Sequence, residues 1–405
     1  MKRAGRQHEC CFANLGGTAE DSLLSLSFLW DGRLFVLYRG YVPFGLEVVV
    51  MEDGWWRNGK RSLDEIQKNF NGGIVMISKK RILTGDRPTS RLHIGHYAGS
   101  LENRVKLQDE YEQFLIIADV QALTTHFEHP EILRQNVYDL CIDYLSVGID
   151  PEKSHIFVQS MVPQIAELTV FYSMFVMVNA LKHNPTIKTE AAQYGFKDLS
   201  YGFLGYPVSQ AADITFCKAD LVPVGEDQLP VVEVTRKIVR RFNSLYKPVL
   251  TAPETLLGAC PRLVGLDGNA KMSKSMGNAI FLSDDRETIL SKVKTAVTDP
   301  ARITLKDKGN PEVCAVSQYH QVFNSIEHEN VCSMCRNAAI GCTACKTTLA
   351  GALDTLLSPI REKRKALEEK PGYIREILQA GSEKARAEGA KTVEEVKEAM
   401  SIKYF

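Results

Sequence analysis

The sequence lacks net charge: 49 Lys and Arg stand against 49 Asp and Glu. That excludes a global basic field, so a nucleic-acid partner has to be met by local patches. It lacks an uncharged apolar run long enough to span a membrane, so no membrane partner is expected. No secretory leader is expected either. Met1-Lys-Arg is basic, but the apolar stretch from Leu23 to Tyr38 is interrupted by Asp31 and Arg33 and has no clear cleavage site. The ten cysteines do not form a disulfide framework. Five fall between 314 and 345, which points to a metal or cluster in a reducing, cytoplasmic setting. The chain has 405 residues, 44% hydrophobic and 24% charged, enough for two domains with their own cores.

The chemistry concentrates in Gly85-Asp-Arg-Pro-Thr-Ser-Arg-Leu-His93-Ile94-Gly95-His96. Ile74 to Ser78 and Ile82 to Thr84 upstream are short, apolar and β-branched, as buried strands are. Leu101, Val105 and Leu107 downstream have helical spacing. The stretch therefore reads as strand, loop and a helix opening at His93–His96. Unpaired N–H groups and the dipole favour anions there, Gly95 admits a ligand close to the backbone, and the histidines can donate to phosphate oxygens. Far downstream, Ala270-Lys271-Met272-Ser273-Lys274-Ser275-Met276-Gly277 is a donor-rich loop that could close over a triphosphate.

Together the two stretches resemble the signature motifs of the class I aminoacyl-tRNA synthetases, His-Ile-Gly-His and Lys-Met-Ser-Lys-Ser, letter for letter. Within that class the chain looks most like the tryptophanyl-tRNA synthetases. Thr84 to Pro88, Gly148 to Pro151, Tyr206-Pro207, Ala211 to Ile214 and Asp220 to Gln228 carry the likeness. It covers about residues 76 to 405, so Met76 is an expected natural start. Residues 1–75 are otherwise an extension of unknown role, strand-like at Phe28 to Trp30, Leu34 to Tyr38 and Leu46 to Met51.

Strands at Phe114 to Ala118, Ile156 to Val158 and Leu221 to Val224 alternate with helices at Glu131 to Val147 and around Ala211 to Thr215. That is the α/β pattern of a Rossmann-type doubly wound parallel sheet, with ligands at the carboxyl ends of its strands. From about 283 the chain reads as helix. The expected domains are 1–75, a catalytic domain 76–282 and an all-helical, anticodon-binding domain 283–405.

The resemblance implies ATP-dependent attachment of L-tryptophan to tRNA(Trp) through an aminoacyl-adenylate, by a homodimer. The expected catalytic residues are His93, His96, Lys188, Lys271 and Lys274. ATP, with Mg²⁺, would meet Arg87, Pro88, Thr89, Gly95, His96, Gly225, Glu226, Asp227, Leu263, Lys271, Met272, Ser273, Lys274 and Ser275. Tryptophan would meet Tyr206, Gln210, Asp213, Val222, Val224 and Gln228. Asp213 is the expected discriminator, because indole has one polar atom, a donor, and a buried acceptor left unpaired by phenylalanine rejects it strongly. Gln210, Gln121, Leu83 and Ser90 depart from what many members carry at those places.

The paired thiols Cys332/Cys335 and Cys342/Cys345 suggest a structural zinc site, while four thiolates also suit a [4Fe–4S] cluster. Some tryptophanyl-tRNA synthetases carry such a cluster, and the resemblance assigns Cys314, Cys335, Cys342 and Cys345 to it, with zinc through Cys332 as the alternative. Two basic runs, Arg236/Lys237/Arg240/Arg241 and Arg361/Lys363/Arg364/Lys365, are candidate RNA patches or plain solvated helix faces. A tyrosine-specific enzyme and a non-catalytic, RNA- or partner-binding paralogue are the competing readings.

Overall fold

The computed structural model describes residues 79–225, 228–257, 263–268, 272 and 277–405, together with the backbone of four strands nearer the N-terminus. Two compact units emerge, Met1–Lys79 and Lys80–Phe405. In the first, β1 (Cys11–Asn14), β2 (Leu24–Trp30), β3 (Arg33–Arg39) and β4 (Glu47–Val50) form an antiparallel meander in sequence order. The strand-like stretches at Phe28, Leu34 and Leu46 fall in or beside these strands. The strand expected at Ile74 to Ser78 lies outside the described residues, as does Met76.

The second unit is built on a five-stranded parallel sheet. Its strands are β5 (Arg81–Asp86), β6 (Glu112–Ile117), β7 (Ser154–Val158), β8 (Leu221–Val224) and β9 (Glu254–Leu257). Their order is β7-β6-β5-β8-β9, and every pair is parallel. Ile82 and Leu83 of β5 and Phe114 to Ile117 of β6 are consecutive buried apolar residues, as expected where helices cover both faces of the sheet. Phe114, Phe157 and Phe216 meet edge-to-face on one side, with centroids 5.3 to 6.5 Å apart.

The helices, in chain order, are α1 (Ile94–His96), α2 (Glu102–Leu107), α3 (Asp119–His126), α4 (Glu131–Ser146), α5 (Pro163–Ser173), α6 (Val178–Lys182), α7 (Pro185–Tyr194), α8 (Tyr201–Thr215) and α9 (Leu229–Leu245). A π-helical turn, Tyr97–Leu101, joins α1 to α2. The helical remainder comprises α10 (Arg286–Thr295), α11 (Ala315–Phe323), α12 (Ser325–Arg336), α13 (Cys342–Glu368) and α14 (Pro371–Ala399). No helix among the described residues is long and apolar enough to cross a membrane.

The expected boundary at 282/283 is not a break in the packing. Helix α14 lies along β7, the edge strand of the sheet. Gly381 sits so close to the Ile156 backbone that a Cβ would collide with its carbonyl. Beside it, Ser382 Oγ accepts from Val158 N at 3.2 Å, pairing an edge N–H that no neighbouring strand takes. Arg81 reaches Glu388 at 3.0 Å, and Thr392 Oγ1 donates to the Phe216 carbonyl at 2.7 Å. The last helix is therefore a cover for the sheet edge.

Candidate active site

The strand order reverses between β5 and β8, so the connections after these strands leave in opposite directions and open a crevice at their carboxyl ends. After β5 come Arg87 to His96, and after β8 comes Gly225. The turn at His93–His96 is organised by its own histidines. Nδ1 of His93 accepts from Gly95 N at 3.1 Å, and Nδ1 of His96 accepts from His93 N at 3.2 Å. The two rings thus form a reciprocal capping box, their centroids 3.8 Å apart. Acceptance at Nδ1 leaves the ring proton on Nε2 in each neutral histidine, so both rings present that N–H as a donor. Gly95 is required here: a Cβ would stand 2.9 Å from His93 Nδ1 and 3.4 Å from Met272 Sδ.

That contact joins the two signature stretches, and the backbone joins them again. Ile94 N donates to Ile280 O at 2.9 Å and Leu282 N donates to Leu92 O at 3.0 Å, around a bridge between His93 and Phe281. Leu92, Ile94, Leu263, Met272, Ile280 and Leu282 share one buried cluster. The segment that follows the lysine loop is therefore stitched to the histidine turn. Glu226, Asp227, Lys271, Ser273, Lys274 and Ser275 lie outside the described residues.

Beneath the turn, Asp86 closes β5. Its carboxylate accepts from Arg104 Nη1 at 2.7 Å and from Tyr144 OH at 2.8 Å. Burial alone would raise it, but the Arg104 guanidinium outweighs that and, with His96 nearby, holds Asp86 below the usual carboxylate range. Pro88 is buried, and Thr89 N donates to Arg87 O at 2.8 Å. Arg87 lies 3.6 Å from Glu190 on α7, the helix that carries Lys188. Asn184 caps that helix by accepting from Thr186 N, and Lys188 is exposed on it. Ser90 is half-buried in the loop, its hydroxyl donating to the Arg91 carbonyl at 3.2 Å.

Across the sheet, Asp213 is buried on α8 and accepts at Oδ1 from Gln159 Nε2, 2.8 Å away. Gln159 Oε1 in turn accepts from Gln121 N at 3.0 Å. This chain has a polarity: Gln159 cannot turn round without losing Gln121, so Asp213 Oδ2 is the oxygen left for a further donor. Burial pushes the Asp213 carboxyl up to about 7, against the Gln159 hydrogen bond, with Asp119 adding to the rise. Tyr206, Val222 and Leu83 belong to the same buried cluster, and Val224 packs partly against it. Gln210 Oε1 is enclosed with no hydrogen-bond partner among the described residues. Gln228 caps α9 with its N–H on Gly225 O at 3.0 Å, and Gly225 itself is exposed.

The cysteines of the helical part are all free thiols. Burial pushes the Cys345 thiol up to about 12, reinforced by Cys314, Cys335, Cys342 and Cys332 around it. Arg302 Nη1 approaches Cys335 Sγ at 3.5 Å. Cys332 faces instead His328 Nε2 at 3.3 Å and Ser317 Oγ at 3.5 Å. Among the described residues no three His, Cys, Asp or Glu side chains converge closely enough to hold a metal ion.

The family model for "tRNA synthetases class I (W and Y)" matches residues 78–358. The tryptophan–tRNA ligase of Lactococcus lactis is 50% identical over 340 residues, covering 81% of this chain and 100% of the relative. That of Streptococcus mutans is 48% identical over the same shares. The chain belongs to the tryptophan–tRNA ligases. Among solved structures, the tryptophanyl-tRNA synthetase of Campylobacter jejuni, in complex with ADP and tryptophan, superposes with a TM-score of 0.71. It is 31% identical, over 79% of this chain and 99% of that one.

Sequence reasoning missed several residues that build the site of this ligase. Gln159, Arg104, Tyr144 and Asp143 carry no motif, and only their buried hydrogen bonds single them out. It also misread one basic run. Arg364 is not a surface cation: it is buried and bonded to Asp139 and Asp143 of α4. Arg361 is half-buried on Asp354, which leaves Lys363 and Lys365 as the exposed members. In the other run Arg236 donates to Pro253 O and Arg240 pairs with Glu233.

Proposed function

We propose that the chain activates L-tryptophan with ATP and transfers it to tRNA(Trp). The tryptophan carboxylate attacks the α-phosphate of Mg–ATP, giving tryptophanyl-adenylate and pyrophosphate. A ribose hydroxyl at the tRNA 3′ end then takes the acyl group and AMP leaves. Such chemistry asks for positioning and charge neutralisation rather than covalent help from the protein. The observation that carries the reading is the pairing of Leu92–Ile94 with Ile280–Leu282, which sets the histidine turn and Met272 of the lysine loop side by side.

In this reading the Nε2–H groups of His93 and His96, Gly95 and the loop Arg87-Pro88-Thr89 hold the nucleotide phosphates. Leu263 and Gly225 to Asp227 lie toward adenosine. Lys271, Lys274 and Lys188 take up the charge of the departing pyrophosphate, with Ser273 and Ser275 donating beside them. Interactions that tighten only as pyrophosphate separates raise turnover, which suits a loop that closes. Asp213 Oδ2 accepts the indole N–H, with Tyr206, Gln210, Val222, Val224 and Gln228 around the substrate.

Cys314, Cys335, Cys342 and Cys345 would hold a [4Fe–4S] cluster whose role is structural, near the anticodon-reading helices. All four are free thiols, the donor type such a cluster takes; as they stand no three of them converge closely enough to hold a metal ion, so the cluster would have to draw them together. Zinc with Cys332 is the alternative. Anoxically purified protein with a broad brown-yellow absorption supports iron–sulfur; a colourless, zinc-containing preparation supports the other. A homodimer in the cytoplasm completes the proposal, and the free cysteines suit a reducing compartment.

The test is ATP–pyrophosphate exchange with tryptophan and tyrosine in parallel. Tryptophan-dependent exchange is expected. Exchange with tyrosine alone would move the function to the sister enzyme, and none with either would leave a non-catalytic relative.

A further inference from the structure

The strand order puts the nucleotide-binding turn at one end of the sheet, and helix α13 belongs to the helical part of the chain. A buried ionic network runs between them. Asp143 lies on α4, almost without solvent exposure. Its Oδ2 accepts from the backbone N–H of Leu92 at 2.9 Å, one residue before His93. Its Oδ1 is bonded by Arg364 Nη1 of α13. Arg364 Nη2 lies 3.3 Å from Asp139 Oδ1, one helical turn earlier on α4, and its Nη1 also meets the Asp139 carbonyl at 3.3 Å. Asp139 Oδ2 then receives Arg91 Nε at 3.4 Å. Gln135 on α4 donates to Asp139 Oδ1 at 3.3 Å, and Glu368 on α13 stands 3.2 Å from Arg364 Nε as an ion pair without hydrogen-bond geometry.

The two residues before the histidine turn are thus clamped at two points, Arg91 through its side chain and Leu92 through its backbone. Both clamps end on carboxylates bridged by one guanidinium. An arginine is needed because its planar fork meets two carboxylates at once, which an ammonium does not reproduce. Replacing a buried ion pair by apolar residues of similar volume is often tolerated, so stability alone gives weak reason for such a network. Its connection to Leu92 gives a better one.

We infer that Asp143 and Arg364 are positioning residues through which the helical part of the chain holds the His93–His96 turn in its nucleotide-binding geometry. Neither touches the substrate. The inference rests on reading that turn as the nucleotide site. Asp143 without Arg364 would be a buried, isolated carboxyl. Burial already pushes it up to about 6, with Arg364 as the main opposing influence, so losing the cation frees it to neutralise and weakens its hold on Leu92 N–H. A displacement of about 1 Å at a reacting centre can cost on the order of 100-fold in rate. The effect should therefore appear in ATP handling and not in tryptophan binding, because Asp213 is held separately by Gln159 on the other side of the sheet.

Three variants test it: Arg364→Lys, Arg364→Met and the double variant Arg364→Met/Asp143→Leu. The measurements are the Kd of Mg–ATP by isothermal titration, the Kd of tryptophan by equilibrium dialysis without ATP, the rate of ATP–pyrophosphate exchange, and Tm. Arg364→Met is expected to weaken ATP binding or lower kcat/KM for ATP by about tenfold or more, with tryptophan Kd within a factor of two, and Arg364→Lys to fall between it and the wild type. If Arg364→Met does not fold, the double variant carries the test, since it buries no unpaired charge from this pair yet leaves Leu92 N–H without its acceptor. A folded variant with unchanged ATP parameters overturns the inference. So does a parallel loss of tryptophan affinity, which would mean a general loosening. Wild-type exchange with tryptophan tests the proposed function by itself, whereas the ratio of variant to wild-type ATP affinity tests this inference even if that exchange is absent.

Discussion

Asp213→Asn separates recognition from folding. In the wild type, Gln121 N–H fixes Gln159, Gln159 donates to Asp213 Oδ1, and Oδ2 stays available to the indole. Asparagine has one oxygen. Whichever way its amide turns, either Gln159 or the indole N–H faces another donor. A buried donor without a partner costs about 1–3 kcal/mol, or about 5- to 150-fold. We expect kcat/KM for tryptophan in ATP–pyrophosphate exchange to fall within that range, with KM for ATP within a factor of two. Stability should move the other way. The wild-type carboxyl stands at about 7, raised from its usual range by burial, so the native state binds a proton that the unfolded state gives up. The stability linked to Asp213 is therefore full below about pH 4 and is lost as pH rises through about 7. By that linkage ionising Asp213 costs the fold up to about 4 kcal/mol, at about 1.4 kcal/mol per pH unit. Asparagine avoids this, so the Tm of Asp213→Asn relative to wild type should be higher at pH 8 than at pH 5. A variant with wild-type kcat/KM for tryptophan would refute Asp213 as the acceptor. A Tm difference independent of pH would refute the burial argument.

Other perturbations separate the remaining parts. Gly95→Ala should raise KM for ATP or lower kcat by about tenfold while leaving tryptophan Kd unchanged, because its Cβ presses on the His93 ring and Met272; unchanged steady-state kinetics would contradict the tight turn. Lys271→Ala should slow adenylate formation in single-turnover measurements with little change in amino-acid binding, and an unaltered rate would remove the lysine from the reaction. Gly381→Val should destabilise by about 3 kcal/mol or more in urea unfolding, since it drives carbon into the Ile156 carbonyl; a change below about 1 kcal/mol would mean that α14 is loosely held.

Much of the fold was legible beforehand because its signals are local. Phe114 to Ala118 and Ile156 to Val158 are runs that only a doubly covered strand makes usable. The turn at His93 was legible because glycine between two histidines at a helix start is a local device. Tertiary packing decided what depends on pairs of residues distant in sequence. Arg364 sits in a basic run that reads as a solvated face, and only α4 with its two carboxylates turns it inward. Gln159 looks like any polar residue until Gln121 and Asp213 give it a direction. Helix α14 reads from the sequence only as helix, and the bare backbone at Gly381 lets it lie on the edge of β7. The sequence by itself determined the class of chemistry, because donors, glycines and anion-binding helix starts are written in neighbouring residues. Which carboxylates are held, by which cations, and where their free oxygens point was decided by the tertiary structure, because burial and charge pairing exist only once distant segments meet.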